Sequence, residues 1–82
     1  MKLRKLLLRA INAPQNLRFA ELLTLANAFG YTLDRVSGSH HILVHPATAR
    51  PLNVQNFHGK AKPYQVQPFL RDIEEFQLTL SE

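Results

Sequence analysis

The chain contains no cysteine, no tryptophan and only three glycines in 82 residues. Without cysteine there is no disulfide to staple the fold, no thiolate to hold a metal, and no thiol redox chemistry, which suits a reducing compartment. Long apolar runs are also missing. Leu6-Leu7-Leu8 is cut off by Arg9, well short of the roughly 7 to 15 residues of a signal-peptide core, and no segment approaches the ~18 apolar residues of a membrane span. The expectation is a soluble, cytoplasmic protein with no membrane partner. Acids are scarce: six Asp and Glu stand against ten Lys and Arg, a formal net charge of +4. Lys2, Arg4, Lys5 and Arg9 crowd the start, whereas five of the six acids lie at Asp34 or beyond. Such a balance fits an anionic partner, and it equally fits a solvated basic helix face.

A chain this short makes one domain and buries only about 60 to 65% of its unfolded surface. Leu3, Leu6, Leu7 and Ala10 recur at helical spacing, predicting a short helix over 2–12 that Pro14 ends. Phe19, Leu22, Leu23, Ala26 and Phe29 form a second apolar stripe, closed by Gly30. From Tyr31 the period becomes extended, and 31–36, 40–44 and 52–57 read as strands joined by short turns, hence an antiparallel meander. A last helix carries Val66, Phe69, Leu70, Ile73 and Phe76 inward, with Arg71, Asp72, Glu74 and Glu75 turned to water. Pro68 requires either a kinked first turn or a helix that starts there. The order α-β-β-β-α, with helices on one face of a three-stranded sheet and the other face open, is an α+β arrangement like that of double-stranded-RNA-binding domains.

Three of the four histidines fall within Gly38-Ser39-His40-His41-Ile42-Leu43-Val44-His45-Pro46. Strand alternation puts His40, Ile42 and Val44 on one face and His41, Leu43 and His45 on the other. Ile42 and Val44 suggest that the first face is core, which would place His40 on the core side at the strand's open end. A metal site is disfavoured, because His41 and His45 would stand about 13 Å apart along a strand while two ligands of one ion sit within about 3 to 4 Å of each other. A serine triad is disfavoured too, since Ser39 has no nucleophile elbow and Asp34 is the only acid in the strand block. One histidine acting as general base fits better. A neutral imidazole can take the proton of an RNA 2′-OH, which would then attack the adjacent phosphodiester and leave a 2′,3′-cyclic phosphate. Lys60 and Lys62, flanking Gly59, could stabilise the added phosphate charge. The competing reading is that His40 only closes the turn by hydrogen bonding.

The helix ending Phe29-Gly30-Tyr31, the run from Leu33 through Gly38-Ser39-His40-His41-Ile42, and Gly59-Lys60-Ala61-Lys62-Pro63-Tyr64-Gln65-Val66 together resemble the HicA toxin family. These are small messenger-RNA-cleaving ribonucleases of bacterial and archaeal toxin-antitoxin pairs. The resemblance implies a single domain over 1–82, with 1–14 as an N-terminal helical extension. It implies a type II toxin that is a metal-independent endoribonuclease with no cofactor, acting on mRNA through His40. Ser39, Lys60 and Lys62 are the expected RNA contacts, and a HicB-type antitoxin would cover the catalytic face. Pro68, and a Pro46-to-Pro51 loop without an Asp-Gly turn, depart from the family pattern. Two further readings stay open: a non-catalytic RNA-binding module of the same fold, and a protein-interaction domain kept soluble by its charge.

Overall fold

The computed structural model describes residues 2–81. Helix α1 (Lys2–Asn12) is followed by a 3₁₀ turn at Pro14–Asn16, helix α2 (Phe19–Ala28), strands β1 (Thr32–Ser37), β2 (His40–Val44) and β3 (Leu52–Gln55), and helix α3 (Pro63–Glu75). The strands form one antiparallel sheet in the order β1-β2-β3. This α+β architecture is the one that the alternating periodicities anticipate. Helices α2 and α3 line one face of the sheet, and the core between the layers is built from Leu22, Leu25, Val54, Val66 and Phe69, all fully buried. Phe69 meets Phe29 and Tyr31 edge-on at 5.8 and 5.9 Å between ring centroids.

Four expectations fail here, each for a packing reason. The core face of β2 is the one carrying His41, Leu43 and His45, not the one carrying His40, Ile42 and Val44. Register decides it: Leu43 pairs with Leu52 and His41 with Val54, and Leu43, Leu52 and Val54 are all buried. His40, Ile42 and Val44 therefore lie on the open face, where His40 and Val44 are exposed. Asp72 does not face water; it is 2% exposed because Tyr31 donates its hydroxyl proton to Oδ2 at 2.9 Å and Arg50 binds Oδ1 at 2.8 Å. Tyr31 is not the first residue of the strand: it precedes β1 and is 1% exposed, its ring packed into the core. Burial first, and the Asp72 carboxylate second, push its hydroxyl above the ordinary tyrosine range. Strand β3 stops at Gln55, and Phe57 belongs to the turn beyond it.

Helix α3 starts at Pro63, a favoured first position, so Pro68 sits inside it and leaves the carbonyl of Tyr64 without its helical donor. The helix ends at Glu75 and is closed by Gln77, whose φ of 52° lets Leu78 N–H donate to Ile73 O at 3.0 Å. The tail then returns to α2, with Ser81 N–H donating to Ala28 O at 2.8 Å. Among the described residues no helix is long and apolar enough to cross a membrane.

Candidate active site

The β1–β2 turn is built by Gly38, with φ of 60°, followed by Ser39, and it delivers His40 as the first residue of β2. Cross-strand partners share a face, so the pairs Ser37↔His40, Arg35↔Ile42, His40↔Gln55 and Ile42↔Asn53 define the open face. Arg35, Ser37, His40, Asn53 and Gln55 line up on it as exposed or half-exposed polar side chains. His40 Nδ1 lies 3.2 Å from Asn53 Oδ1. Gln55 Nε2 donates to Ser39 Oγ at 3.1 Å, and Asn56 N–H donates to Ser39 O at 3.0 Å. The histidine turn is thereby tied to the segment that follows β3.

That segment, which in sequence is the Gly59 loop flanked by Lys60 and Lys62, folds as a tight hairpin. Phe57 and Lys60 exchange backbone hydrogen bonds at 3.1 Å in both directions, while His58 and Gly59 take φ of 55° and 85°, the signature of a type I′ turn. The His-Gly pair after an alternating strand was the available signal. Gly59 O accepts from Phe19 N–H at 2.9 Å, and Ala61 N–H donates to Leu17 O at 3.1 Å. These bonds fix Lys60 against Arg18 at the start of α2, beside a small cleft of about 160 Å³ lined by Gln15, Asn16, Leu17, Arg18 and Lys60. Lys62 lies over the Phe57 ring, 5.5 Å from its centroid. The turn thus carries Lys60 and Lys62 out from the end of β3 that pairs with His40. Two further basic groups come with these elements: Arg18, paired with Lys60, and Arg35, on the open face opposite Ile42; strand alternation through Arg35 and Ser37 is the signal for the second.

Of the other three histidines, His58 is exposed at the hairpin turn, while His41 and His45 are occupied inside the fold. His41 packs edge-on against Phe19 at 4.8 Å between ring centroids, and its Nδ1 is buried with no hydrogen-bond partner. His45 donates from Nε2 to Phe29 O at 2.9 Å and accepts at Nδ1 from Ala47 N–H at 2.9 Å, so both ring nitrogens serve the β2–β3 connection. Among the described residues no three His, Cys, Asp or Glu side chains gather as metal ligands would. His40, by contrast, presents an exposed imidazole on the open polar face of the sheet.

A family described as HicA toxin of bacterial toxin-antitoxin systems matches residues 19–74. The match takes in α2, the whole sheet with His40, the Lys60 turn and nearly all of α3, and the chain belongs to that family. It is a toxin-family protein, and the family implies a toxin-antitoxin partner. Helix α1 lies outside the matched span. No individual curated protein and no solved structure matches the chain.

Proposed function

We propose that this toxin is a metal-independent endoribonuclease that cleaves mRNA, with His40 as its general base. The observation that carries the reading is the exposed imidazole of His40 on the open polar face of the sheet, in a chain of the HicA toxin family. In the proposed reaction His40 takes the 2′-OH proton, and the 2′ oxygen attacks the adjacent phosphorus. The bond from phosphorus to the 5′ oxygen breaks, leaving a 2′,3′-cyclic phosphate on one fragment and a 5′-hydroxyl on the other once that oxygen gains a proton. Lys60 and Lys62, with Arg18 and Arg35, would hold the phosphate chain and offset the charge that builds on the reacting phosphate. Ser39, beside His40, would contact the neighbouring nucleotide. A HicB-type antitoxin covering this face would block RNA by occupying the same cations. Action on mRNA would place the protein in the cytoplasm.

The test is RNA cleavage by purified protein in EDTA. His40→Ala is expected to lower cleavage about 10² to 10⁴-fold while leaving melting temperature and RNA affinity close to wild type, and His41→Ala, where it folds, should do far less. A folded His40→Ala protein that cleaves at near wild-type rate would overturn the assignment. Lys60→Ala and Lys62→Ala should weaken binding and flatten its dependence on salt by about one phosphate contact each. Salt-sensitive binding by a protein that never cleaves would instead favour the RNA-binding module.

A further inference from the structure

We propose that Asn53 is a positioning residue for His40, holding the imidazole in the tautomer with its proton on Nδ1 so that the Nε2 lone pair is presented to the substrate; this rests on the general-base reading above. The 3.2 Å contact joins His40 Nδ1 to Asn53 Oδ1. With the carboxamide oxygen turned to the ring, as here, the contact is a hydrogen bond only when the proton of the pair sits on Nδ1. The lone pair is then on Nε2, which makes no hydrogen bond among the described residues. The opposite tautomer would point the Nδ1 lone pair at the Asn53 oxygen and leave no base facing solvent.

The fold supplies Asn53 at this point by register. Ile42 pairs with Asn53 and His40 with Gln55, which sets Asn53 diagonally across from His40 on the open face, within reach of a side chain. Its three neighbours in β3 have other work: Leu52 and Val54 are core, and Gln55 is committed to Ser39. Asparagine is disfavoured in strands, and here it is exposed in the middle of a four-residue one. The contact also serves the reaction coordinate. When Nε2 takes the 2′-OH proton, the Nδ1–H bond to Asn53 persists and becomes charge-assisted, so it strengthens as the imidazolium forms. The buried aspartate of a serine-protease triad orients its histidine from the same side. Asn53 would do so without a full negative charge, on an open surface that must also accept a polyanion.

The experiment combines steady-state cleavage of an RNA oligonucleotide in EDTA with ¹⁵N NMR of the imidazole of His40. Wild type is expected to show the Nδ1–H form, and Asn53→Ala to lose it in favour of Nε2–H. Asn53→Ala should lower kcat about 10-fold or more with KM little changed, since the residue acts through the base. Asn53→Asp keeps an acceptor and adds a charge that favours the imidazolium, so it should retain activity and move the acid limb of the pH-rate profile to higher pH. Wild-type His40 in the Nε2–H form, or Asn53→Ala with unchanged kcat and acid limb, would overturn the positioning role and leave the general-base reading standing. A folded His40→Ala protein that cleaves normally would overturn both, whichever tautomer is seen.

Discussion

At Gly30 the chain leaves α2 with φ of 101°, and a Cβ built there would lie 2.7 Å from His45 Nε2. Two costs coincide. The left-handed backbone penalises any side chain by about 1 to 2 kcal/mol, and the added methyl would push away the imidazole that satisfies Phe29 O at 2.9 Å. Gly30→Ala is expected to destabilise by about 2 to 3 kcal/mol, read from chemical denaturation. Gly38→Ala, where φ is 60° and nothing lies within 4 Å of the new Cβ, should cost about 1 kcal/mol. Equal losses at the two sites would mean that the His45 contact contributes nothing. The sequence marks both glycines as turn formers, but the clash with a residue fifteen positions away exists only in the folded chain.

At the scale of elements, an ion pair between Arg9 and Glu21 joins α1 to α2. Glu21 reaches back to Arg18 N–H at 3.0 Å, satisfying a donor at the start of α2, and takes Arg9 Nη1 of α1 at 2.7 Å. The backbone bond, helped by Arg9, holds the Glu21 carboxyl below the usual 4.5 against the opposing effect of burial. A carboxyl depressed by folding adds stability above its unfolded value, and that stability fades as pH falls through the folded one. Glu21→Gln is expected to lower stability by about 1 kcal/mol at pH 7, and the difference from wild type should close in thermal melts as pH drops well below 4.5. A gap that stays constant into acid would refute the linkage. The edge strand β1 shows a second element-level device. Register slips between Leu33 and Arg35, a bulge at Asp34 that brings Leu33 and Val36 to the same side and breaks the regularity of an exposed edge.

For the molecule as a whole, Asp72 is the node that ties α3, the entry to β1 and the β2–β3 loop together. Arg50 bridges it to Glu75, 3.3 Å away, and its guanidinium, lying 5.7 Å from the centroid of the Phe76 ring, is held above its usual range by Glu75 first and Asp72 second. Asp72→Ala would strand the buried Tyr31 hydroxyl and is expected to cost about 2 to 4 kcal/mol. Adding Tyr31→Phe removes the stranded group, so the double variant should lose less than the sum of the two singles. Strict additivity in denaturant titrations would show that the buried pair is not coupled.

The sequence alone determined the element order, the antiparallel meander, the two main helix faces and the turn that presents His40, because each is a local property: a 3.6 or 2.0 period, a proline stop, a glycine that reaches positive φ. Ser39, Lys60 and Lys62 were nameable for the same reason, since they flank glycine turns. Only the tertiary structure decided which face of β2 is core. A five-residue strand with apolar residues on both sides carries no parity signal of its own, and the choice came from pairing Leu43 with Leu52 and His41 with Val54 beneath α2 and α3. Asp72 was misread because helical periodicity measures polarity and cannot see a tyrosine hydroxyl forty-one residues away. Asn53 was invisible on the same grounds. Its meaning lies in a diagonal across two strands, and register between strands is fixed by the core they share.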